Sequence, residues 1–337
     1  MARTVIDPVT RIEGHMRVEV EVSGGEVKDA WVSGTLYRGM ETVLLDRSPE
    51  DAFYVSQRIC GVCPISHSHA SSQATEAALG ITIPEGARLV RNILECAQYL
   101  HSHILWFYNL AALDYVSPIN ALKADIADTY ALAQAAGTKP SDYGAVAKRL
   151  TAFAENGQLS ILTGHYWDHP GYALPPELDL IATCHYLEAL EMQAVANEVV
   201  AIVAGKFSHP MTSVPGGTAF VPTVDKLDDI LFRLVRVKEF IDTALIPDTL
   251  AIAPFILDAA TYGGGTGNFL SWGVFEKSDL VPENRYLPRG MSQGLKPEGV
   301  SPDDVTEYTN HSWYDSPTGK NPKDGATKVK FTEYNTD

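Results

Sequence analysis

Only four cysteines occur in 337 residues: Cys60, Cys63, Cys96 and Cys184. Cys96 and Cys184 sit far apart inside helix-like stretches, so a disulfide framework is excluded. Positive charge is also scarce. Lys and Arg number 26 against 42 Asp and Glu, which leaves a net charge of −16 and a pI near 5.0. With no basic block, neither nucleic acid nor an anionic membrane surface is expected as the main partner. Long apolar runs are missing as well. The most apolar stretch, "AVANEVVAIVAG", is too short to span a bilayer and is interrupted by Glu198, while "MARTVIDPVT" has no apolar leader core. The expectation is a soluble chain without an export signal of its own. What is present is a hydrophobic fraction of 45%, enough to build the core of one large domain or two ordinary ones.

The patterning divides the chain into three textures. In residues 1–47, Met16, Val18, Val20 and Val22 alternate with Arg17, Glu19 and Glu21, and "SGGE" turns the strand back into "VKDAWVSG". That is a half-buried β-hairpin with the valines on one side. Residues 48–251 change to a helical period. Ser48 is placed to cap, Pro49 suits the first helical position and Asp51 stands where a capping-box acid belongs, so a helix should deliver the chain to Cys60. Further helices are expected from Pro64 to a C-cap at Gly80, through Leu89, Ile93, Ala97, Leu100, Ile104 and Phe107, from Pro176 to Gly205, and across "TVDKLDDILFRLVRVKEFIDTAL". Residues 252–337 are rich in Pro, Gly, Asp and Lys, with strand-like and turn-like pieces and a domain that reads as incomplete. "GGGTG" there neither follows a clear strand nor opens a helix, so it is not taken as a phosphate loop. The fold class is mainly α with a small β-rich N-terminal part, an α+β arrangement around a helical bundle.

The densest chemistry is "RICGVCPISHSH", Arg58 to His69. Cys-x-x-Cys has several meanings. A thioredoxin-like pair wants the end of a strand in a βαβ unit, and here helices flank it. A structural zinc site would draw on Cys60, Cys63, His67 and His69, the right count for a tetrahedral ion. On one helix, however, His67 and His69 lie about 200° apart around the axis and cannot face one ion. The third reading is a pair of soft thiolates that hold one ion or bridge two, suited to nickel, low-valent iron or zinc. His67, one helical turn beyond Cys63, could then donate a hydrogen bond to a metal-bound sulfur without binding metal itself.

"RGME" at Arg38–Glu41, then fifteen residues, then "QRICGVC" at Gln57–Cys63 resembles the first signature of the nickel-iron hydrogenase large subunit. "DPVTRIEGH" at Asp7–His15, "VRN" at Val90–Asn92, "ALKAD" at Ala121–Asp125, "HYLEAL" at His185–Leu190 and "HSWY" at His311–Tyr314 follow in the family's order. The resemblance implies the large-subunit helical bundle and heterolytic cleavage of dihydrogen at a Ni-Fe centre whose iron carries carbon monoxide and cyanide. It implies that Cys60 is a terminal nickel ligand, that Cys63 bridges nickel and iron, and that His67 donates to this cluster. Glu13 would be the acid that removes the proton, buried and within reach of the cysteine loop. Glu41 would be a carboxylate ligand of a nearby magnesium, and Arg58 would order the loop electrostatically. His209, in "GKFSHP", resembles a stretch beside the partner's closest iron-sulfur cluster, with an ordinary loop histidine as the alternative. Cys96 and Cys184 are read as small core residues.

The implied partner is an iron-sulfur small subunit, and possible membrane attachment runs through it to a cytochrome. The chain has too few cysteines to carry an electron relay itself. Similarity to uptake-type members implies the periplasmic side of the membrane or an equivalent cell-envelope face, with the cytoplasm as the alternative. Two departures stand out. The family usually has an acid within "HDH", where this chain has Ser102 in "HSH". The family's second cysteine pair, which completes four thiolates, has no counterpart after Cys184. The chain alone is therefore expected to be inactive. A rival of another class is a non-catalytic interaction subunit, zinc-stabilised or metal-free, of a hydrogenase-related respiratory complex.

Overall fold

Strand alternation and the glycine pair build the amino-terminal sheet. In the computed structural model, which describes residues 3–163, 171–261, 265–294, 296–309, 312–315, 319–324, 329–330 and 332, β1 (Arg3–Ile6), β2 (Met16–Ser23) and β3 (Glu26–Gly34) form an antiparallel sheet in the order β1-β2-β3. Gly24 and Gly25 both have positive φ (64° and 80°), the geometry of a two-residue hairpin turn, which closes Ser23 onto Glu26. Of the apolar side of β2, Met16, Val18 and Val20 are half-buried, as a half-buried hairpin requires. The buried side chain of β2 is Glu19, while Val22 and Val32 are exposed. Glu19 is held by charge: Arg17 Nη2 donates to it at 2.6 Å, and Arg3, stacked over the Trp31 ring, stands 3.9 Å away.

By its contacts the chain forms two units, Met1–Ile59 with Phe269–Asp337, and Cys60–Asn268. This partition differs from the three textures 1–47, 48–251 and 252–337, which follow composition. The first unit also holds α1 (Met40–Leu44), α2 (Ala52–Ser56) and a second small sheet, β6-β7-β8 (Asn268–Ser271, Gly290–Gln293, Lys296–Glu298). The single helix expected before Cys60 is instead a 3₁₀ turn over Pro49–Asp51, then α2, then a 3₁₀ turn over Gln57–Ile59. Ser48 makes no side-chain cap bond there. Pro49 does take the first helical position.

The second unit carries the helices: α3 (Pro64–Leu79), α4 (Glu85–Leu105), α5 (Pro118–Ala121), α6 (Ile126–Ala136), α7 (Tyr143–Glu155), α8 (Pro176–Ala204), α9 (Val224–Phe240) and α10 (Ile246–Ile252). Gly80 and Gly205 close α3 and α8 in the left-handed conformation, as the C-cap pattern requires. α8 is apolar nearly all round and is accordingly the central helix. It packs on α4 through Leu94, Ala97, Val199 and Val203, with Ile65 of α3 and Ile230 of α9 in the same cluster. A second cluster joins Ile104, Tyr108, Met192, Val237 and Phe240. α4 and α9 each run on into a π-helical turn, Trp106–Ala111 and Ile241–Leu245.

A short hairpin, β4 (Ser213–Val214) and β5 (Gly217–Thr218), is pinned to α3 and α4. Arg91 donates to both Glu76 oxygens at 3.0 and 2.6 Å and to Val214 O at 2.8 Å, while Gly216 N donates to Glu76 at 2.7 Å. This buried pair is therefore hydrogen-bonded on both sides, the condition under which burying charge is tolerated. Most of "GGG" in "GGGTG" lies outside the described residues. No helix of the described residues is long and apolar enough to cross a membrane.

Candidate metal centre

Cys60 follows the Gln57–Ile59 turn, and Cys63 is the N-cap residue of α3, with Pro64 at its first position. The two residues between them form a bend that carries the chain into the helix. Cys63 N donates to Cys60 Sγ at 3.1 Å, which folds the loop between the two cysteines back on itself. Cys63 sits where a helix N-terminus presents its partial positive charge. His67, four residues on, brings its ring back over the same turn. As a result the Cys60 and Cys63 sulfurs and a His67 ring nitrogen lie within 4.8 Å of one another. Cys60 is buried and the other two are half-buried.

The turn is locked from outside the motif. Gln98 of α4 accepts from Ile65 N at 2.9 Å and donates to Ser66 Oγ at 2.6 Å, so an uncharged amide satisfies a donor that the first turn of a helix leaves open. His69 does not join the cluster. Its Nδ1 meets Glu95 Oε1 at 2.7 Å and its Nε2 meets Ser213 Oγ at 2.9 Å. Both ring nitrogens are thus occupied, which excludes the four-ligand zinc reading with His69. Gln98, Glu95 and Ser213 were missed in the sequence. Gln98 falls one helical turn from the apolar seam position Leu94, and that polar interruption is the available signal.

Arg38 of "RGME" was also missed as a functional side chain. It donates from Nη1 to Arg58 O at 2.7 Å and from Nη2 to Ile59 O, which fixes the carbonyls just before Cys60. Gly39 beside it has φ 69°, and a Cβ there would stand 3.3 Å from the Tyr37 hydroxyl, so the motif needs glycine. Arg58 itself donates to Tyr54 O at 2.7 Å and to Gln57 Oε1 at 3.2 Å, with its guanidinium over the Tyr54 ring. Glu41 accepts from the Tyr314 hydroxyl, whose pKa is held above the ordinary phenol value by burial and by that carboxylate. The "HSWY" motif is therefore partly accounted for, although His311 lies outside the described residues.

Glu13 departs from expectation. It is exposed, on a stretch of bends between β1 and β2 that is tied down by Val9 N donating to Met16 O and by Thr35 N donating to His15 O. Residues 10–14 have no ladder to draw the side chain inward. Glu13, Glu41 and Arg58 belong to the first unit, and the cysteine cluster to the second. The other two thiols are poor ligands. Burial raises Cys96 and pushes Cys184 up to about 12, so both stay protonated. His101 of "HSH" is buried, which pulls its pKa down, and Ser102 is half-buried beside it.

Two cysteines and a histidine on one turn define a class first: a candidate metal-binding group of soft donors at a helix N-terminus. Comparison with known proteins then supplies the family. The model for nickel-dependent hydrogenase matches residues 38–337, and a model described as HoxL-like matches residues 3–33. The chain belongs to the large-subunit family of nickel-dependent hydrogenases.

The uptake hydrogenase large subunit of Rhodobacter capsulatus is 39% identical over 98% of this chain and 60% of its own length. The hydrogenase-2 large chain of Escherichia coli K12 is 37% identical over 99% and 63%. The Ni-Fe-Se hydrogenase from D. vulgaris Hildenborough superposes with a TM-score of 0.77 at 31% identity, covering 99% of this chain and 62% of that one. The chain thus spans about 60% of the length of the relatives it matches.

Proposed function

We propose that this chain is the Cys60–Cys63 part of a hydrogenase catalytic subunit that splits dihydrogen heterolytically. The observation that carries this is the convergence of Cys60, Cys63 and His67 within 4.8 Å, in a chain of the nickel-dependent hydrogenase family. The donor set fits: thiolates suit nickel and low-valent iron, and two on one turn can be shared between two ions. A bound Ni-Fe centre, its iron carrying carbon monoxide and cyanide, would supply the Lewis acidity that polarises dihydrogen.

Cys60 and Cys63 hold this centre, and His67 donates to a ligating sulfur, which fixes the sulfur's orientation and tempers its basicity. Gln98 and Arg38 keep the turn from relaxing around the metal. Glu13 is the proton acceptor in this reading, supported by its place in "RIEGH", and Glu41 is an oxygen ligand for magnesium, supported by its place in "RGME". Arg58 orders the approach to Cys60. The electrons pass to an iron-sulfur small subunit and from there to a membrane cytochrome. The resemblance to uptake-type relatives supports a cell-envelope location.

The test is Cys60→Ser and Cys63→Ser in the complete, matured enzyme with its small subunit. Both variants should lose stoichiometric nickel by metal analysis, and hydrogen uptake with an artificial acceptor should fall to background. Glu13→Gln should keep its metals while losing hydrogen–deuterium exchange. Full metal content and turnover in the serine variants would overturn the reading.

A further inference from the structure

We propose that α9 is a self-association contact: its outer face takes the same face of a second copy of this chain, antiparallel, across a two-fold axis beside Leu231. The proposal rests neither on the Cys60–Cys63 turn nor on dihydrogen chemistry.

The outer face is apolar where a surface helix is ordinarily polar. Ile230, Val237 and Phe240 turn into the core, which leaves the far side of the helix to water. There Val224, Leu231, Phe232 and Val235 are 74, 60, 61 and 54% exposed. At about 100° per residue these side chains fall within about 100° of the helix circumference, so they form one stripe. Single exposed apolar residues are ordinary, whereas a contiguous apolar stripe marks a contact surface.

Charge names the occupant. Residues 224–232 carry Asp225, Asp228 and Asp229 against one lysine, and residues 233–240 carry Arg233, Arg236 and Lys238 against one glutamate. Parallel copies would set like charge on like. Antiparallel copies set the acidic half of each helix on the basic half of the other, and a second copy supplies that pattern by symmetry alone. The attraction has to be local, because two copies that each carry a net charge of −16 repel one another at a distance.

Spacing fixes the register. Val224 and Val235 are eleven residues apart, and so are Asp225 and Arg236, so the members of each pair share a side of the helix to within about 20°. A two-fold axis perpendicular to the helix sets each side against its own copy running the other way. Placed beside Leu231, it brings Leu231 onto Leu231, Val224 onto Val235 and Asp225 next to Arg236. Arg236 meets Glu191 of its own chain at 2.9 Å, an exposed pair of little strength, so it can take a second carboxylate.

Sedimentation velocity on the intact protein, with any subunit that accompanies it, should show at micromolar concentration twice the mass of one assembly unit. Leu231→Glu should sediment at the single mass with an unchanged urea midpoint, since the side chain it replaces is exposed. Asp225→Arg alone and Arg236→Asp alone should each weaken association by about tenfold, because each sets like charges together on both sides of the axis. An equimolar mixture of these two variants should recover the wild-type affinity, since each supplies the charge that the other needs. A wild type at the single mass would overturn the proposal and leave the face to another polypeptide. A doubled mass retained in Leu231→Glu would overturn it by placing the contact elsewhere, and a mixture no tighter than the single variants would overturn the antiparallel two-fold pairing. None of these results touches the hydrogenase reading.

Discussion

Gln98 shows how much one uncharged side chain does at this site. It accepts from the Ile65 amide and donates to Ser66, both within the first turn of α3. Gln98→Leu keeps the volume but leaves the Ile65 amide buried and unpaired, so the chain should lose about 1–3 kcal/mol in thermal or urea unfolding. Asp179 makes a different point. Burial pushes its carboxyl up from the ordinary 3.8 to about 6, against bonds donated by Ser117 N and Asn120 Nδ2. The native state therefore holds this proton more tightly than the unfolded chain does. The stabilisation is full below pH 3.8 and is lost as pH rises through about 6. The urea midpoint of the wild type should carry that fall, and Asp179→Asn should flatten the profile in the same window. At this scale the clustered candidate residues were open to sequence reading but not their supports. Cys60, Cys63 and His67 are legible from type and spacing. Glu95, Gln98 and Ser213 act across elements 26 to 144 residues away from their partners, and local pattern does not encode that pairing.

The helices were the most legible elements, because a 3.6-residue apolar period bounded by proline and glycine has few other structural solutions. α3 and α8 end at Gly80 and Gly205 as read. The approach to Cys60 was misread and the facing of β2 stayed open, for separable reasons. A serine-proline start does not determine whether the next turns are 3₁₀ or α, and alternation gives two faces without saying which is covered. At Glu19 an arginine on the same strand and one on the neighbouring strand reverse the usual choice. Packing between α4 and α8 depends on Leu94, which is fully buried among Val199, Val203 and Ile65. Leu94→Ala should cost about 2–5 kcal/mol through the cavity left behind, as read from a urea midpoint shift. Arg88, one residue N-terminal to Leu89 on the same helix, pairs with the exposed Glu85, and its truncation should cost far less.

Across the whole molecule the acidic excess sets solution behaviour. With 42 acids against 26 bases, the chain should repel itself at neutral pH and pass through a solubility minimum near its pI of 5.0, measurable as turbidity against pH. The α+β class was open to sequence reading because it needs only element types, whereas the grouping of Met1–Ile59 with Phe269–Asp337 joins segments that share no local signal. The two π turns have a consequence at the level of the gene. Tyr108 lies inside the first, and its hydroxyl donates at 2.8 Å to Asp248, just beyond the second, which also holds His185 at 2.9 Å. A π turn is one residue longer than the α-helix it interrupts. Losing a single in-frame codon from Ile241–Leu245 would leave a continuous, well-formed helix and yet swing Asp248 by about 100° relative to α9. Codon deletion here would therefore preserve secondary structure while separating Asp248 from Tyr108 and His185, so alignments of relatives should show both turns keeping their length.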